Sequence, residues 1–104
     1  MSIDVGELLE KMLDAAKAVL EEDWPEIKEH AETELKGIAE GIALVEGKIS
    51  QKQAKSLIKM KRNTAQIVLL TLEGLGVLAV EKAINAAIKA IKDTVNGTLD
   101  FALL

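Results

Sequence analysis

The sequence predicts an all-α protein, an antiparallel bundle of three helices with a very long third helix, assembled as a dimer or higher oligomer. Three observations carry this reading. Apolar residues recur at three- and four-residue steps along almost the whole chain. The single proline, Pro25, falls where a helix would start, and no segment shows strand-like alternation. A stretch of about 46 residues, 50–95, has no proline and an apolar centre from Ile67 to Val80. At 104 residues the chain fits one helical domain spanning 1–104.

Helix 1 is expected over about 4–22. Val5, Leu8, Leu9, Met12, Ala16, Val19 and Leu20 form one stripe, and Asp4 with Glu7 three residues on has the form of a capping box. Asp23-Trp24-Pro25-Glu26 reads as a stop and restart. Asp23 suits an N-cap, and Pro25 is tolerated in a first turn because its missing N–H has no helical partner there. Helix 2 then runs over about 24–46. Its apolar positions, Trp24, Ile27, Ala31, Leu35, Ile38, Ile42 and Val45, make a coiled-coil-like heptad pattern with one stutter. Gly47 suits a C-terminal cap, and Ser50 with Gln53 suits the box that opens helix 3. The short turn between them places helices 2 and 3 antiparallel.

Helix 3, about 50–95, carries two adjacent stripes. Leu69, Leu72, Gly76, Ala79, Ala83, Ala86 and Ala90 form a seam of mostly small residues. Val77, Val80, Ile84, Ile88, Ile91 and Val95 form a bulky stripe beside it. Together they span about 200° of circumference, against a little over 100° for an ordinary core-facing helix. Unbroken, such a helix is roughly 69 Å long, whereas a compact chain of this size has a radius of gyration near 13 Å. The glycines at 74 and 76 each cost only about 1 kcal/mol in a helix, and burying one leucine offsets that at roughly 1.5–3 kcal/mol. The expectation is therefore a continuous or gently bent helix, with any bend near Gly74 and Gly76, whose small-residue seam is covered by a second copy. An apolar tail, 98–104, should fold back onto the bundle after Asn96-Gly97 ends the helix.

Charge is divided along the chain. Residues 1–47 hold 13 acids and 4 bases, and residues 48–104 hold 4 acids and 9 bases, within a net charge of −4. The halves should attract each other, with the basic stripe Lys48, Lys52, Lys55, Lys59 and Arg62 facing Glu34 and Glu40 of helix 2. No aromatic residue interleaves that stripe, which argues against a nucleic-acid interface. The apolar centre of helix 3 is shorter than the roughly 20 residues a membrane span needs. Peripheral membrane association through the basic stripe and this centre is a minor alternative.

No catalytic constellation is legible. With one histidine and no cysteine, a serine or thiol triad cannot reasonably be assembled. Glu73, in the bulky stripe, is one candidate for an ion or metal site, because a buried carboxylate must be paired or protonated. Glu26, His30 and Glu34 share a helix face and are the other, although the Glu-x-x-His step of carboxylate-bridged bundles is missing. No cofactor is expected. Cysteine is absent, and the amino terminus lacks a basic region followed by an apolar run, so a cytoplasmic location is expected. The residues favour a non-enzymatic structural or interaction protein whose partner is itself. The alternative is a bundle that binds a metal or small ligand through its carboxylates.

Overall fold

The computed structural model describes residues 3–45, 49–71, 76–99 and 101–104. Among the described residues there is no strand, and four α-helices appear: α1 (Val5–Leu20), α2 (Trp24–Val45), α3 (Gln51–Leu70) and α4 (Val77–Leu99). A 3-10 turn, Glu21–Asp23, joins α1 directly to α2. Side-chain oxygens cap two of the starts. Asp4 accepts from the Glu7 N–H at 3.2 Å. The Glu7 carboxylate reaches forward to Lys11 at 3.5 Å. At α3 the box is complete: the Ser50 hydroxyl accepts from the Gln53 N–H at 3.2 Å, and the Gln53 side chain accepts from the Ser50 N–H at 3.3 Å.

The corner between α1 and α2 is made by backbone. The Glu21 N–H donates to the Lys17 carbonyl, and the Trp24 N–H donates to the Glu21 carbonyl. Asp23 lies inside the 3-10 turn, so the expected Asp23 cap is replaced by these bonds. Pro25 sits in the first turn of α2, where its missing donor costs nothing. All seven heptad positions of α2 are buried.

The single long helix expected over 50–95 is instead two helices that fold back on each other. Arg62 bonds Asn85 and Gln66 bonds Glu81. One turn forward on α3 is thus one turn backward on α4, which fixes the pair as antiparallel. The stop is local. Thr71 turns its hydroxyl onto the Val68 carbonyl at 2.6 Å and donates its N–H to the same carbonyl at 3.1 Å, a competition that ends α-helical pairing. Gly76 accepts from the Val80 N–H and stands at the N-terminal cap of α4, with nothing within 4 Å of where a Cβ would lie. It is therefore a cap residue and not a point of close helix approach. Gly47 and Glu46 lie outside the described residues, as do Leu72, Glu73 and Gly74. At the far end α4 runs through Asn96 and Gly97 to Leu99, one turn beyond the expected end.

The helices pack in a ring in chain order, closed by α1 against α4; α1 packs most closely on α4 and α2 on α3, while α3 and α4 touch least of the adjacent pairs. The extents of 39 × 22 × 18 Å and a radius of gyration of 13.2 Å match a bundle one helix long. A 69 Å rod would not fit. The core runs through the middle of the ring, with Met12, Leu35, Ile38, Ile42, Val80, Ile91 and Val95 as its largest fully buried side chains. No polar or charged side chain is buried among the described residues. The bulky stripe of the former helix 3 is this core face of α4, apart from exposed Val77.

Glu21 is the one non-glycine residue with positive φ among those described, at φ 41° and ψ −100°. An L side chain is strained there by roughly 1–2 kcal/mol. Glu21→Gly should therefore stabilise the protein by about 0.5–1 kcal/mol, after the extra chain entropy glycine brings to the unfolded state. A rise of a few degrees in Tm by calorimetry is expected. A fall would show that the corner carries no strain.

Candidate functional site: the groove and apolar end of the α3–α4 hairpin

Because α3 and α4 are the least closely packed neighbours, a groove runs between them. Its main part, about 570 Å³, is lined by Lys55, Lys59, Arg62 and Gln66 of α3 and by Glu81, Ile84 and Asn85 of α4. A second part of about 550 Å³ shares Arg62, Asn85 and Leu104 and adds Ile88, Lys89, Lys92 and Asp93. The basic stripe thus faces α4 and not α2, contrary to expectation. Lys61, one position off the stripe, is the residue on the α2 side. Its side chain lies beside Gly41.

The predicted attraction between acidic and basic halves is also not realised as contacts. Among the described residues the one ion pair is Glu7–Lys11, within α1. Arg62 spends its hydrogen bond on a neutral acceptor, Asn85 Oδ1 at 2.9 Å. The Gln66 amide donates to Glu81 at 3.4 Å. Five cations therefore line the two parts of the groove against two acids, Glu81 and Asp93, and no ion pair ties them. Lys52 is exposed beside the groove, and Lys48 lies outside the described residues.

The tail closes one end. Asn96, on α4, uses its whole amide: Oδ1 accepts from the Leu103 and Leu104 N–H groups, both at 3.0 Å, and Nδ2 donates to the Leu104 carbonyl at 3.3 Å. Leu103 is buried by this and Leu104 lines both parts of the groove. The expected fold-back of the tail is observed. The anchoring role of Asn96 was not read from the sequence; an Asn-Gly pair ahead of an apolar tail was the available signal.

The small-residue seam is dispersed. Leu69 and Ala83 are buried within the protomer, Ala79 and Ala86 are half-buried, and Gly76 and Ala90 are exposed. The most exposed large apolar side chains lie elsewhere: Leu44 of α2 and Met60 of α3 are each more than half exposed, and three more gather where α3 ends and α4 begins. Ile67 at 64%, Val77 at 57% and Leu78 at 65% exposure come from the adjoining ends of α3 and α4. Periodicity could not flag these residues, because their exposure follows from where the chain turns.

On α2, Glu26 and His30 are exposed and Glu34 is half-buried. Among the described residues no group of three or more His, Cys, Asp or Glu side chains could hold a metal ion. Glu73 lies outside them. No described helix is long and apolar enough to cross a membrane. Comparison of the chain with protein-family models, with curated proteins and with solved structures returns no match.

Asn96→Leu keeps the side-chain size but removes all three tail bonds. It should lower stability by about 1–3 kcal/mol, the range for leaving partly buried amides without partners. The Leu104 amide, which donates to Asn96, should lose protection from hydrogen exchange, and α1 and α2 should keep theirs. Unchanged protection at Leu104 would show that apolar packing alone holds the tail.

Proposed function

We propose that this protein is a non-enzymatic structural or interaction protein that self-associates, and that its contact surface is the joined end of α3 and α4. The observation that carries this reading is the trio Ile67, Val77 and Leu78, each more than half exposed at one end of the bundle. Scattered exposed aliphatics are ordinary; several gathered at one end of a small protein point to a contact. A second copy is the simplest partner, and a two-fold dimer uses the same surface twice.

The magnitudes favour a weak contact. Covering a side chain already partly buried returns about 1–2 kcal/mol, a fraction of the roughly 1.5–3 kcal/mol for full burial. Six such side chains in a two-fold contact contribute about 6–12 kcal/mol, against an association cost of about 4–15 kcal/mol. A concentration-dependent dimer is the expected state. The four-helix protomer already hides the apolar arc that first suggested an oligomer, so the contact no longer has to complete the core.

Sedimentation equilibrium between about 10 µM and about 1 mM reads this range of affinity. The wild-type chain should shift from monomer toward dimer across it. At about 0.15 M salt, where exposed charges are screened within about 8 Å, Ile67→Ser with Leu78→Ser should remain monomeric throughout while keeping its helical circular dichroism. Wild-type protein that stays monomeric at the top of the range would end this reading.

A further inference from the structure

The bundle has an acidic side and a basic side, and among the described residues no ion pair joins them. In the ring of helices, α1 and α2 form one side and α3 and α4 the other. Among the described residues, 12 acids and 4 bases fall to the first, and 8 bases and 2 acids to the second. The acids concentrate at the corner between α1 and α2, where Glu22 in the 3-10 turn is exposed and Glu26 and Glu29, one turn apart on α2, are exposed as well. Across the bundle, Lys55, Lys59 and Arg62 also step one turn at a time along the groove. Within an α-helix one turn is about 5.4 Å, so Glu26 and Glu29 can lie beside Lys59 and Arg62 without either backbone moving, and Glu22 of the 3-10 turn adds a third acid at the corner.

We infer that the basic α3–α4 groove of one molecule receives the acidic α1–α2 corner of a second copy, in a head-to-tail contact. This rests on the self-association reading only in taking the partner to be the same chain; the surfaces are different. Three features of the groove fit an acidic protein surface. Its cations are not held in ion pairs among the described residues. Arg62 is oriented by a neutral amide that leaves its charge uncompensated. Neither aromatic residue lines the groove, and Trp24 is buried in the core, so a nucleic-acid strand would find phosphate contacts but no stacking platform. Because the two contacting surfaces differ, each added molecule presents a fresh groove and a fresh corner. Such a contact builds an open chain or a ring, where a two-fold contact stops at a dimer.

The test uses the full chain carrying Ile67→Ser and Leu78→Ser, which removes the apolar end. Onto this parent are placed either Lys55→Gln with Lys59→Gln or Glu26→Gln with Glu29→Gln, all at exposed positions with no side-chain partner. Helical circular dichroism confirms folding. In sedimentation at about 10 mM salt the parent should form species larger than a dimer, and its association should weaken about tenfold or more by about 0.15 M, as screening shortens from about 30 Å to about 8 Å. Each charge variant alone should be monomeric. Their equimolar mixture should give a one-to-one complex and nothing larger, because one intact groove then meets one intact corner.

A mixture that stays monomeric, or variants that associate like the parent, would overturn the head-to-tail contact. So would a groove that binds phosphatidylserine vesicles or a labelled single-stranded oligonucleotide, loses them on Lys55→Gln with Lys59→Gln, and leaves self-association untouched. A parent that is monomeric at low salt while the wild-type chain dimerises removes this inference alone. A wild-type chain monomeric under both conditions removes it together with the self-association reading.

Discussion

The structure depends on where the apolar circumference of residues 50–95 finds its cover. A helix with about 200° of apolar surface needs more than one neighbour. Folding back at residues 71–76 supplies one from the same chain. The entropy of closing a connection this short is small and grows slowly with length. Recruiting another molecule costs about 4–15 kcal/mol in lost translational and rotational freedom. The intramolecular partner therefore wins whenever the chain can turn. Here the Thr71 hydroxyl takes the Val68 carbonyl, and α4 restarts with Gly76 as its cap. Ile58, Ala65 and Leu69 of α3 and the Val80–Val95 stripe of α4 then join one core with α1 and α2.

What the sequence made legible was local. The heptad of α2, the Ser50–Gln53 box and the place of Pro25 follow from short-range rules, and the structure shows each of them. The break in the third helix did not follow from such rules. No proline marks it, and weighing each glycine against one buried leucine compared two local terms. The deciding comparison was between two partners for the same surface, one supplied by the chain and one by another molecule, and that is a tertiary quantity. The small-residue seam failed for the same reason. Once the rod is cut at 71–76, Leu69 and Ala83 no longer belong to one stripe, and each meets the core from its own helix.

The candidate site was partly legible. The basic stripe was visible as a run of one-turn steps, but its direction depends on a rotation of one residue. Lys61 turns toward Gly41 of α2, while Lys55, Lys59 and Arg62 turn toward α4. Lys89 and Lys92 join them only because α4 runs back alongside α3. The groove exists because α3 and α4 approach least closely of the adjacent helices, and the tail fills part of the wedge with Leu103. Asn96 makes that possible by accepting from the Leu103 and Leu104 N–H groups and donating to the Leu104 carbonyl; the Leu103 N–H is shared with the Phe101 carbonyl at 3.0 Å.

The division of charge is not realised as ion pairs between the helices of the bundle among the described residues. No charged side chain is buried among the described residues, and their one ion pair is a surface pair within a single helix, of a kind that contributes about 0–1 kcal/mol. Interchanging exposed acids and bases between the two sides would leave the core packing as it is. Core packing therefore gives no reason for the acids to gather on α1 and α2 and the bases on α3 and α4. In the proposed head-to-tail contact, the arrangement acts between molecules. A chain with its net charge of −4 spread evenly would repel its copies in every orientation. With the same charge divided between opposite sides, repulsion is strongest when like sides meet and turns to attraction when the groove of one molecule faces the corner of the next. Electrostatics of this kind sets orientation and encounter rate more than affinity. In the proposed self-association the apolar end of the hairpin would supply attraction without the salt sensitivity, and the two surfaces would divide strength from direction.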